Sequence, residues 1–105
     1  MTIRKAQPAD ASILTRLAQD ACRNGGYPDN WIESARSASS TDVITGNDVY
    51  VADQSGELLG FYVLAGDGLE LEQLWVAPSH FGTGVGKELF LHAKDRIALK
   101  ESSPQ

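Results

Sequence analysis

The sequence has little sulfur and little proline: one cysteine, Cys22, and four prolines in 105 residues. A lone cysteine cannot form an internal disulfide, has no metal-spaced partner, and suits a reducing compartment. No apolar run approaches the length of a membrane span. The opening residues, Met1-Thr2-Ile3-Arg4-Lys5, are not followed by the apolar stretch of a secretion signal, so a cytoplasmic location is expected. Basic residues are also short in supply, nine Lys and Arg against fourteen Asp and Glu, for a net charge of −5. That balance disfavours a nucleic-acid surface and mildly attracts a cationic amine. His80 and His92 lack metal-ligand spacing, and no nucleophile motif accompanies them, so neither a metal site nor Ser-His-Asp hydrolysis is expected.

What is present describes an ordinary globular domain. Hydrophobic residues make up 42% and charged residues 22%, and the length suits one small core. Ile3 to Ala6 predicts a first strand. Pro8 and Asp10 then suit the first turn of a helix, with an apolar stripe of Ile13, Leu14, Leu17, Ala18 and Ala21. Gly25-Gly26 ends it, and a second helix carrying Trp31, Ile32 and Ala35 is expected from Pro28 or Asp29. Three strands follow as a meander: Val49–Ala52, Leu58–Ala65 and Leu69–Val76. Their turns are Gln54-Ser55-Gly56-Glu57 and Gly66-Asp67-Gly68. A last helix is predicted from about Gly84 to Leu99 on the pattern Val85, Leu89, Phe90, Ala93, Ile97, with residues 100–105 as a loose tail. The chain is one domain, residues 1–105, with no repeats.

The densest chemical signal is the junction Leu74-Trp75-Val76-Ala77-Pro78-Ser79-His80-Phe81-Gly82-Thr83-Gly84-Val85-Gly86-Lys87. A strand enters a loop with glycine at every second position, and the loop opens a helix. The first N–H groups of a helix have no intrahelical partner and sit at the positive end of its dipole. Glycines let a ligand approach the backbone, so a pyrophosphate is the natural guest. The dinucleotide fingerprint started at Gly82 fails because position 87 is Lys87. The NTPase phosphate loop fails because Glu88 follows Gly86-Lys87 and Phe81 stands where it needs glycine.

What remains, Gly84-Val85-Gly86 after a strand ending Val76-Ala77-Pro78, resembles the acetyl-coenzyme A signature of the GNAT superfamily of N-acetyltransferases. That signature is Arg or Gln, two variable residues, Gly, any residue, then Gly or Ala. The Arg or Gln position falls on Phe81, a departure at a position that acts mainly through its backbone. The element order also resembles the N-terminal portion of the family over nearly the whole chain. The resemblance implies an α+β, GNAT-like fold: a mixed or antiparallel sheet with flanking helices, truncated after the cofactor-binding helix. The family's domain usually adds a strand beside the cofactor-binding strand, a further helix and two more strands, and 105 residues leave no place for them. The implied pantetheine wedge would then have one wall, and the Tyr that often protonates the departing thiolate would have no counterpart.

The resemblance implies acetyl-coenzyme A as co-substrate and transfer of its acetyl group to an amine of a small molecule or peptide by direct attack. Backbone groups of Leu74, Trp75 and Val76 would meet the pantetheine and thioester. Those of Phe81, Gly82, Thr83, Gly84, Val85, Gly86 and Lys87 would hold the diphosphate. The Thr83 hydroxyl would donate to a phosphate or cap the helix. A phosphate would relieve the conflict between Lys87 and the helix dipole, and His80 is a further phosphate contact to consider, with His92 on the helix surface. Some members have a catalytic Glu six residues before the Val of the Val-x-Pro segment, which lands on Glu70. Glu72 is a second candidate, and a period of two would put both on one face, where a half-buried cleft would suit a general base. Tyr27 and Trp31 would line the acceptor site. The bare edge of the third meander strand predicts a homodimer. Two further possibilities stand beside the enzyme: a coenzyme A-binding or dimerising module without catalysis, and a fragment of an acetyltransferase.

Overall fold

The computed structural model describes residues 1–24, 44, 48–65 and 69–102. Four strands form one antiparallel sheet in the order β1-β2-β3-β4: Thr2–Lys5, Asp48–Gln54, Glu57–Ala65 and Glu70–Val76. Helix α1, Ala11–Asn24, covers one face, and helix α2, Val85–Ser102, the other. The expected second helix, with Tyr27 and Trp31, and the Gly66-Asp67-Gly68 turn lie outside the described residues.

Each element follows from local chemistry. Pro8 opens a short 3-10 turn, Pro8–Asp10, and the Gln7 N–H donates to Asp10 Oδ2 at 2.8 Å. Arg4 fastens this turn from β1, donating to Asp10 Oδ2 at 3.1 Å and to Asp53 Oδ2 at 3.0 Å. The β2–β3 hairpin closes through Ser55 and Gly56, with φ of 54° and 92°. Two successive positive φ angles match strand twist, and the Gly56 N–H is held by Asp53 Oδ1 at 2.8 Å.

The α1 stripe differs from expectation at its ends. Leu14, Leu17, Ala18, Ala21 and Cys22 are buried, while Ile13 is 52% exposed. Positions 14, 17, 18, 21 and 22 keep to one side of a 3.6-residue helix, and Ile13 is rotated off it. Leu14, Leu17, Ala18 and Cys22 pack on Val49, Val51, Phe61 and Val63. On the other face, Val85, Leu89 and Ala93 of α2 pack with Ala52, Leu59, Tyr62 and Leu64. Phe90, expected in that stripe, is exposed. The helix also continues through Lys100 to Ser102, where the sequence predicts a loose tail from residue 100.

Gly60 lets the layers approach. A Cβ there would lie 2.7 Å from the Trp75 carbonyl oxygen and 2.9 Å from Leu89 Cδ1. The end of β4 is pinned beside it, because the Ala77 N–H donates to the Leu59 carbonyl at 2.8 Å. The loop that follows therefore starts from a fixed point.

Candidate active site

Beyond Val76 the chain makes a second 3-10 turn, Pro78–His80, closed by the His80 N–H on the Ala77 carbonyl at 2.8 Å. Gly82 and Gly84 take φ of 77° and 91°, values that disfavour any other residue. A side chain at either would meet no heavy atom within 4 Å, so the front of the loop is open. Among the described residues neither glycine N–H makes a backbone hydrogen bond. The first intrahelical bond runs from the Glu88 N–H to the Gly84 carbonyl at 3.0 Å. The N–H groups of Val85, Gly86 and Lys87 therefore precede it at the helix mouth. Open space, free amides and the dipole's positive end fit a diphosphate.

Side chains around the loop differ from the expectations. The Thr83 hydroxyl donates to the His80 carbonyl at 2.6 Å, which fastens the loop and neither caps the helix nor leaves that proton for a phosphate. His80 is half-buried, with Nε2 3.7 Å from Glu57 Oε1. Phe81 and Lys87 are exposed. Between the loop and the hairpin lies an open depression of about 320 Å³, lined by Gln54, Leu59, His80, Thr83, Val85 and Glu88 among others.

Strand β4 is an edge. It pairs with β3 on one side, and among the described residues no strand lies on the other, so alternate N–H and C=O groups point outward. Leu74 and Val76 pack under α2, and Trp75 packs on the α1 side. Val63 pairs with Gln73 but Leu64 with Leu71, so Glu72 is the extra residue of a bulge. The bulge breaks the period of two. Leu71 shares the α2 face with Leu74, and Glu70, the next residue before it, falls on the α1 face with Gln73 and Trp75. Glu70 and Glu72 therefore do not share a face in the way expected. Both are exposed, so the described residues do not form the half-buried cleft expected around them.

Two polar arrangements are not visible as motifs. The Trp75 indole N–H donates to Gln73 Oε1 at 2.7 Å. On the other face Tyr62 Oη lies 2.6 Å from His92 Nδ1, with Tyr50 stacked on Tyr62 at 5.4 Å and Arg96 5.3 Å from the Tyr50 ring. Burial raises the Tyr62 hydroxyl far above its ordinary value and lowers His92. His92 is thus half-buried under the helix rather than on its surface. The spacing Val85, Leu89, His92, Ala93, Arg96 was the available signal. Cys22 is buried, and burial raises its thiol, as for a packed rather than a reactive cysteine. Among the described residues no group of three or more His, Cys, Asp or Glu side chains could hold a metal, and no helix is long and apolar enough to cross a membrane.

The family model for the acetyltransferase (GNAT) domain matches residues 45–103, more than half of the chain, and the chain belongs to this family. Solved structures agree on the fold. A GCN5-related N-acetyltransferase from Rhodopseudomonas palustris superposes with a TM-score of 0.79 at 20% identity, over 96% of this chain and 68% of that one. The PaiA N-acetyltransferase of Thermoplasma acidophilum, solved with coenzyme A, gives 0.76 at 24% identity, over 95% and 73%. A GNAT family acetyltransferase from Brucella melitensis, solved with acetyl-coenzyme A, gives 0.76 at 21% identity, over 92% and 68%. No curated protein sequence matches the chain. The fold is thus the α+β GNAT fold, represented by four antiparallel strands and two helices among the described residues.

Proposed function

We propose that the chain binds acetyl-coenzyme A and transfers its acetyl group to the amine of a small molecule or peptide. The observation that carries this reading is the loop leading into α2: the expected Phe81 and Thr83 amides are taken up by the Pro78 and His80 carbonyls, each at 3.2 Å, while those of Gly82, Gly84, Val85, Gly86 and Lys87 have no backbone partner among the described residues, and the space in front of Gly82 and Gly84 is open. In this reading the amides of Gly82, Gly84, Val85, Gly86 and Lys87 hold the diphosphate, and the open edge of β4 at Leu74, Trp75 and Val76 faces the pantetheine and thioester. The bound thioester supplies the acyl group. Two proteins of the same fold, solved with coenzyme A and with acetyl-coenzyme A, support the choice of ligand.

Glu70 is the proposed base. It takes the proton of the acceptor ammonium, and the neutral amine attacks the thioester carbonyl. A C–N bond forms, the C–S bond breaks, the nitrogen gives up its second proton to solvent, and the thiolate takes a proton from solvent. The exposure of both glutamates favours one alternative, a coenzyme A-binding module that does not turn over. Tyr27 and Trp31 are proposed to border the acceptor. The β4 edge, which no strand covers among the described residues, with Leu69 exposed beside it, supports a homodimer, and the buried Cys22 thiol suits a cytoplasmic location.

Titration calorimetry with acetyl-coenzyme A and a thiol-release assay across an amine panel test the reading together. Binding with thiol release is expected, and Glu70→Ala should lower the rate without weakening cofactor binding. Binding without release across the panel supports the module instead. No heat with acetyl-coenzyme A overturns both.

A further inference from the structure

An indole N–H can only donate, so its bond to Gln73 obliges the carboxamide to present its oxygen to Trp75. The two N–H donors of Gln73 are thereby turned away from the indole, and among the described residues they make no hydrogen bond. Trp75 is packed against the α1-side core, so it is a firm anchor for a half-buried Gln. The Gln73 side chain leaves the sheet from its α1 face, whereas the backbone amides proposed to meet the thioester leave from the edge. The Gln73 donors therefore address what lies over that face, beside Glu70.

Resting on the acetyl-transfer reading above, we propose that Gln73, held by Trp75, selects the acceptor by donating to an oxygen next to the acceptor amine. Neighbouring positions on one face of a strand stand roughly 7 Å apart. Hydrogen bonds of about 2.9 Å at each end leave room between Glu70 and Gln73 for a short bridge. An α-amino carbonyl compound supplies one: its amine meets Glu70 and its carbonyl oxygen meets Gln73. A plain alkyl amine offers no oxygen to the Gln73 donors, so it lacks one hydrogen bond that the α-amino carbonyl compound makes, a difference of about 1 kcal/mol. The chemical class is α-amino amides, which includes the N-terminal residue of a peptide. Trp75 is the positioning residue in this pair.

The test compares alaninamide with propylamine, with rates expressed per neutral amine. The wild-type chain is expected to favour alaninamide about fivefold in kcat/KM. Gln73→Met keeps the length but removes the donors, and Trp75→Phe keeps a ring but removes the anchor. Both should erase most of that preference, and Gln73→Met should leave the acetyl-coenzyme A Kd within about twofold. In NMR, the Gln73 side-chain amide signals of the acetyl-coenzyme A complex should shift with alaninamide and not with propylamine. An unchanged preference in Gln73→Met, or equal losses on both amines, overturns the assignment while acetyl transfer stands. Cofactor binding with transfer to neither amine overturns the transfer reading, and the assignment with it.

Discussion

Tyr62 Oη and His92 Nδ1 lie 2.6 Å apart across the seam between β3 and α2. Both groups are held neutral near pH 7, because burial raises the tyrosine and lowers the histidine. Arg96, on the same helix, also disfavours a charge on His92, and Asp95 opposes it only in part. The unfolded chain therefore binds a proton at His92 before the folded chain does. Stability should fall as pH drops through the ordinary histidine value of 6.5. Urea unfolding between pH 7.5 and 5.5 should show this loss, and His92→Phe should flatten it. Tyr62→Phe should destabilise at pH 7 by about 1 kcal/mol.

The Arg4 clamp predicts a separate acid branch. Arg4 and the Gly56 N–H hold Asp53 below the carboxylate range. Burial pulls Asp10 upward, but hydrogen bonds from Arg4 and the Gln7 N–H outweigh it, so Asp10 is lowered too. Depressed carboxylates add stability above the unfolded value of 3.8, and that stability is lost as pH falls through their folded values. Arg4→Met should lower stability at pH 7 and shrink the loss below pH 4, as followed by circular dichroism.

Gly60→Ala should destabilise the fold by about 1–3 kcal/mol. The added methyl meets the Trp75 carbonyl oxygen at 2.7 Å, and a paired backbone atom cannot move aside without disturbing β4. Thermal unfolding reads the effect directly.

Gly84→Ala separates strain from function. Its φ of 91° costs a residue with a Cβ about 1–2 kcal/mol, but nothing lies within 4 Å to clash with the methyl. The variant should fold, with a slightly lower midpoint. Its affinity for acetyl-coenzyme A should drop at least tenfold in calorimetry, because relaxing that angle turns the Val85 and Gly86 amides.

Much of the fold was legible wherever one residue type decides a local angle or a face. Ser55-Gly56 marked the hairpin, Pro8 the first turn, and Leu14, Leu17, Ala18 and Ala21 the α1 face. The Gly84-Val85-Gly86 loop was equally readable, since positive φ and a bare backbone leave glycines at set intervals. The bulge at Glu72 was not legible, because it arises from how Val63 and Leu64 pair with β4 and not from any residue of β4 alone. For the same reason Glu70 and Glu72 were expected to share a face. On α2, hydropathy favoured Phe90 over His92. The fold reverses them, because Tyr62 supplies the hydrogen bond that lets an imidazole be half-buried, while Phe90 points to solvent with Lys94 5.8 Å from its ring.

Amide chemical shifts of the 15N-labelled chain during titration with acetyl-coenzyme A test the central claim most directly. Gly82, Gly84, Val85, Gly86 and Lys87 are expected to carry the largest shifts and to saturate together with the calorimetric isotherm. Saturable shifts centred elsewhere, with those five amides unmoved, would contradict that claim.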